Sequence, residues 1–114
     1  MQTVTKNFIR LVRDEADALR QNKFFVEELS VYELEKDNSQ NSHRWMTRLH
    51  YPITKLGIKL NDQQRHDLFS AIFHRRINST KELTDIEIEA LNRIAELDPK
   101  DYGVVILDII NDQS

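Results

Sequence analysis

Cysteine is absent from this 114-residue chain. That excludes a disulfide framework, a thiol nucleophile and any thiolate metal site. It also suits a reducing compartment, so the expected location is cytoplasmic. Glycine and proline number two each. A turn-rich all-β fold needs more of both, and a glycine-lined phosphate cradle has too little to be built from. No apolar run approaches the roughly 20 residues of a membrane span. The opening stretch, MQTVTKNFIRLVRDEAD, is charged throughout and lacks the apolar segment of a signal peptide. There is no G-x-S-x-G and no P-loop, and the serines and threonines fall mainly at helix starts and in one polar loop. No catalytic residue, cofactor or membrane partner is expected.

What is present is charge, unevenly placed. The net charge is −3. Residues 1–42 carry six Lys/Arg and eight Asp/Glu, net −2. Residues 43–81 carry eight and two, net +6, with all four histidines. Residues 82–114 carry two and nine, net −7. A basic middle can mark a polyanion-binding face. Equally, the basic middle and the acidic tail can neutralise each other across a folded domain.

Hydrophobic spacing predicts a single all-α domain of five or six short helices over residues 1–114. Val4, Phe8, Leu11, Val12 and Leu19 place a helix over 4–21, with Thr3 as its cap. Its polar side offers Arg10–Asp14 and Arg13–Asp17 at i,i+4 spacing. Residues 24–36 fit either a helix or a strand, and DNSQNS at 37–42 reads as a loop. A β-hairpin around 31–51 is therefore the main alternative to two helices. Over 43–57, Trp45, Met46, Leu49, Ile53 and Leu56 form a helical face, capped by Ser42. Pro52 predicts a kink there, or two short helices meeting near Tyr51. Gly57 suits the left-handed closing position. Asn61 with Gln64, Ser79 with Glu82 and Thr84 with Glu87 have capping-box spacing. They predict a helix at 61–76, a one-turn helix near 79–82 and a helix at 85–97. Asp98 and Pro99 then start a tail helix facing inward through Tyr102, Val105, Ile106 and Ile109.

The histidine spacings lack the i,i+4 pair of a helical zinc site, so no metal is expected. The acidic set Glu82, Asp85, Glu87 and Glu89 reads as two helix starts dressed with negative charge. The basic segment is more suggestive. Arg44, Trp45, Arg48, His50 and Tyr51 interleave cations with flat aromatic rings, as single-stranded nucleic-acid surfaces do. Arg65, Arg75, Arg76 and Lys81 add cations that could meet phosphates. Arg44, Trp45 and Arg48 together with these four cations are the candidate nucleic-acid site, for DNA or RNA. Helix 85–97, carrying Glu87, Glu89 and Glu96, would be repelled by phosphates and reads as scaffold. The competing expectation is a protein-binding module, such as an inhibitor, immunity protein or assembly adaptor, using the acidic tail or exposed rings.

The run LGIKLNDQQRHDLFSAIFHRRINSTKELTDIEIEALNRI, about residues 56–94, resembles the helical region of the Mu-type phage regulatory (GemA-like) protein family. The matching positions are Leu56, Gly57, Arg65, Leu68, Ser79, Lys81, Leu83, Thr84, Glu87 and Leu91. Where that family commonly has a glycine before the basic loop residue, this chain reads His74-Arg75-Arg76. The resemblance implies a small phage-type regulator acting on DNA transactions.

Overall fold

A computed structural model describes residues 2–22 and 39–112, with the side chains of 39–46 left aside. Among the described residues the chain forms five α-helices, one 3₁₀ turn and no strand. The order is α1 (Thr3–Gln21), α2 (Ser39–Lys55), α3 (Asp62–Phe73), the 3₁₀ turn (Thr80–Glu82), α4 (Asp85–Leu97) and α5 (Pro99–Asp112). The all-α expectation holds.

Helix α4 is central because its apolar residues are not confined to one stripe. Ile88, Leu91 and Ala95 are buried, and so are Ala90 and Ile94. It therefore packs against α1, α2 and α5 at once. Helix α1 adds Phe8, Ile9, Val12, Ala16 and Leu19; α3 adds Leu68, Phe69 and Ile72; α5 adds Tyr102, Val105, Ile106 and Ile109. Together with Leu49 and Ile53 of α2 they form one core. Phe8 and Tyr102 stack with ring centroids 5.3 Å apart. The Tyr102 hydroxyl has no hydrogen-bond partner, and burial raises its pKa.

All three capping boxes form, at Asn61–Gln64, Ser79–Glu82 and Thr84–Glu87. Gly57 takes φ +74° after α2, as its closing position requires.

The structure differs from the sequence expectation in five places. Val4 and Leu11 are exposed; Ile9, Ala16 and Thr5 take the inward positions instead. Gln2, not Thr3, caps α1, and its side chain makes no capping bond. The Asp108 carboxylate of α5 tethers the start of α1 instead, accepting from the Gln2 N–H at 3.0 Å and from the Thr5 hydroxyl. Helix α2 starts at Ser39, so residues 39–42 are helical, Ser42 is no cap, and the second arm of the hairpin alternative does not exist. Polar residues suit a first turn, whose N–H groups have no helical partner to lose. The expectation for 24–36 lies outside the described residues. Helix α3 stops at Phe73 rather than at residue 76, because His74 adopts φ 53° and ψ 39°.

The fifth difference is at Pro52, where α2 runs through as one helix rather than as two short ones. Proline has no N–H, so the carbonyl of Arg48, four residues back, loses its helical donor. Asn92 of α4 replaces it. With its nitrogen turned to α2, the Asn92 amide donates to the Arg48 carbonyl at 3.1 Å. Its oxygen accepts from the Arg48 guanidinium at 3.1 Å.

Candidate nucleic-acid interface

The seven residues singled out by composition do not form one free cationic surface. Arg44 and Trp45 lie on the α2 backbone, but their side chains fall outside the described residues. Arg48 points to α4 and forms an ion pair with Glu89, whose side chain is 7% exposed. Glu89 also holds Arg93 at 2.9 Å, and Arg93 reaches Glu15 of α1 at 3.3 Å. Arg65 is paired with Asp62 and donates to the Leu60 carbonyl at 2.9 Å.

Arg75 is committed further. Both its terminal nitrogens reach the Glu87 carboxylate, one at 2.7 Å, and it donates to the Glu82 carbonyl at 3.1 Å. The same Glu87 carboxylate caps the Thr84 N–H at 2.9 Å. Burial pushes the Glu87 pKa up, but the hydrogen bonds from Arg75 and the Thr84 backbone outweigh it, so the net shift is down. A cation already held by a buried carboxylate has little charge left for a phosphate. The basic middle and acidic tail thus neutralise each other at Arg48–Glu89 and Arg75–Glu87.

Arg76 and Lys81 differ. Both are exposed, and Arg76 makes one hydrogen bond, to Asn78 at 3.2 Å. Neither has an ion pair among the described residues.

The larger group of free cations lies on α1. The i,i+4 pairs expected there, Arg10–Asp14 and Arg13–Asp17, do not form; Asp17 binds Arg20 at 2.6 Å instead. Lys6, Arg10 and Arg13 are exposed and unpaired among the described residues. Their spacing sets them in one stripe along the helix. The stripe borders a groove of about 420 Å³ floored by Ile9 and closed on the α3 side by His74. Asp14 and Asp17 stand at its far end. His74 is there because its left-handed backbone turns the chain aside after α3; glycine fits such a position with less strain. Ser70 then holds the following loop, accepting from the Ile77 N–H at 2.9 Å.

A sequence signal for this groove existed. Lys6, Arg10 and Arg13 fall on the polar side of an amphipathic helix whose first turn has no acidic residue. The apparent local ion pairs masked it. Among the described residues no group of three or more His, Asp or Glu side chains is placed to hold a metal ion. A second cleft, near His50 and Arg65, has its histidine pKa lowered by burial and by Arg65. Among the described residues no helix is long and apolar enough to cross a membrane.

Comparison with known proteins finds no matching family model, no matching curated protein and no matching solved structure.

Proposed function

We propose that this protein is a small non-catalytic regulator that binds nucleic acid through the α1 groove. One observation carries the reading: Lys6, Arg10 and Arg13 form a stripe without an ion pair among the described residues, with His74 beside it, while most of the other described arginines are paired. A stripe of free cations attracts a phosphate backbone without reading its sequence. Among the described residues no Phe, Tyr or Trp side chain lines the groove. Contact is therefore with backbone phosphates rather than stacked bases, and duplex is bound at least as well as single strand. Arg76 and Lys81, exposed and without an ion pair among the described residues, are additional cations for phosphates. The resemblance over residues 56–94 fits a phage or mobile-element regulator, and that assignment belongs to the same proposal.

The test is fluorescence anisotropy with a short labelled DNA duplex and the matching RNA and single strand. Micromolar binding that falls steeply with salt is expected, within the range of non-specific complexes. Replacing Lys6, Arg10 and Arg13 together by glutamate should weaken it at least tenfold while the far-ultraviolet spectrum stays helical. Undetectable binding at low salt overturns the proposal.

A further inference from the structure

The second cleft, beside His50 and Arg65, is built where α2 ends and α3 begins. His50, Ile53 and Thr54 are spaced three and four residues apart, so they share one face of α2. Gly57 turns the chain at φ +74°, and the residues that follow it, 58–60, supply more of the lining. Arg65 of α3 completes it. The volume is about 620 Å³, within the usual range of small-molecule sites.

Its charge is one-sided. His50, Lys59 and Arg65 line it, and among the described residues no carboxylate does. The opposing charge is Asp62, which pairs with Arg65 from outside the lining and whose side chain is 82% exposed. An ion pair so open to water holds Arg65 weakly against a more highly charged ligand. Arg65 keeps a second anchor, donating to the Leu60 carbonyl at 2.9 Å. Lys59 is exposed and has no ion pair among the described residues. The His50 imidazole is half-buried and makes no hydrogen bond among the described residues. Burial first, and then the Arg65 guanidinium, hold its pKa below the ordinary histidine value, with Asp62 opposing. The backbone N–H groups of Ile58, Lys59 and Leu60 also donate to no acceptor among the described residues.

Two cations and several unused donors call for an anion rich in acceptor oxygens. A carboxylate brings one charge and two oxygens. A phosphate monoester brings close to two charges and three terminal oxygens, which can meet Lys59, Arg65 and a further donor together. Ile53, Ile58 and Leu60 add apolar lining that inorganic phosphate alone leaves uncovered. We propose that this cleft binds a small phosphate monoester of mononucleotide size, with its phosphate between Lys59 and Arg65 and its organic body against Ile53, Ile58 and Leu60. The cleft shares no lining residue with the α1 groove, so either can fail while the other holds.

The experiment titrates the isotopically labelled full chain with adenosine monophosphate, inorganic phosphate and adenosine at matched ionic strength. It follows the backbone amides and the His50 ring. Saturable shifts confined to residues 50–65 are expected with adenosine monophosphate. Inorganic phosphate should move the same residues but bind about tenfold more weakly, and adenosine should leave them unmoved. The His50 pKa should rise as the site fills, because a bound dianion favours the imidazolium that burial and Arg65 disfavour. Lys59→Glu, at an exposed position, should weaken binding about tenfold or more. Lys100→Glu makes the same change in net charge outside the cleft and should leave binding unchanged. Shifts that are absent or centred on α1 overturn the proposal. So does adenosine or inorganic phosphate binding as tightly as the monoester, or a folded Lys59→Glu chain that binds it unchanged.

Discussion

At the scale of single residues, the informative group is Glu87. It is a buried carboxylate that serves an arginine and a helix cap together. Removing one member of such a pair leaves a charge without its partner, which commonly costs several kcal/mol. Arg75 is partly exposed, so solvent can screen the remaining carboxylate, and Arg75→Ala is expected to lower stability by about 2 kcal/mol at neutral pH. The pH dependence follows from the depressed Glu87 pKa. Between its folded value and the ordinary 4.5, the unfolded chain binds a proton that the folded chain does not. The contribution is therefore full above 4.5 and is lost as pH falls through the folded value. Urea titrations of the two chains should diverge most at neutral pH and converge in acid. An equal difference at both ends would show that the deficit is packing rather than charge. The sequence made Arg75 and Glu87 visible as residues but not as a pair. Local rules weigh neighbours three or four apart, and these two meet only because a left-handed His74 turns the chain back toward α4. The same blindness made Arg10 and Arg13 look neutralised: helical spacing permits a pair, but exposed pairs gain too little to be guaranteed.

At the scale of helices, starts were more legible than ends. Three capping boxes were readable because each is a contact within three residues, and all three formed. The start of α2 at Ser39 was not readable, since serine and asparagine are as common in loops as in first turns. Pro52 is the clearest case of a helix decided from outside itself. Taken alone it predicts a kink or a split into two short helices, yet α2 continues as one helix, with Asn92 of α4 donating to the carbonyl that proline abandons. Asn92→Ala should leave that carbonyl without a donor and cost about 1–3 kcal/mol. Pro52→Ala restores the helical N–H. In that background the Asn92→Ala cost should fall by at least half, a coupling measurable as a double-mutant cycle. Costs that simply add would mean that Asn92 acts through packing or through Arg48's guanidinium alone.

At the scale of the whole molecule, the question is which positive charges remain available to a polyanion. Composition places them between residues 43 and 81. The folded chain ties Arg48 and Arg75 of that segment to α4 and leaves a stripe without ion pairs among the described residues on α1, within residues 1–42, which sum to −2. Charge sums along a sequence treat every arginine alike; a fold does not. The two classes should separate in salt dependence. Each phosphate neutralised on a duplex contributes about −0.9 to the slope of log affinity against log salt, so three groove cations give roughly −3. Arg13→Ala should reduce that slope by about one. Arg75→Ala and Arg48→Ala should leave it unchanged wherever the variants stay folded, because Glu87 and Glu89 already hold those charges. If Arg75→Ala instead reduced the slope as much as Arg13→Ala, the pair with Glu87 would have to open to phosphate. The binding surface would then return to the loop after α3, and α1 would be left as a solvated face.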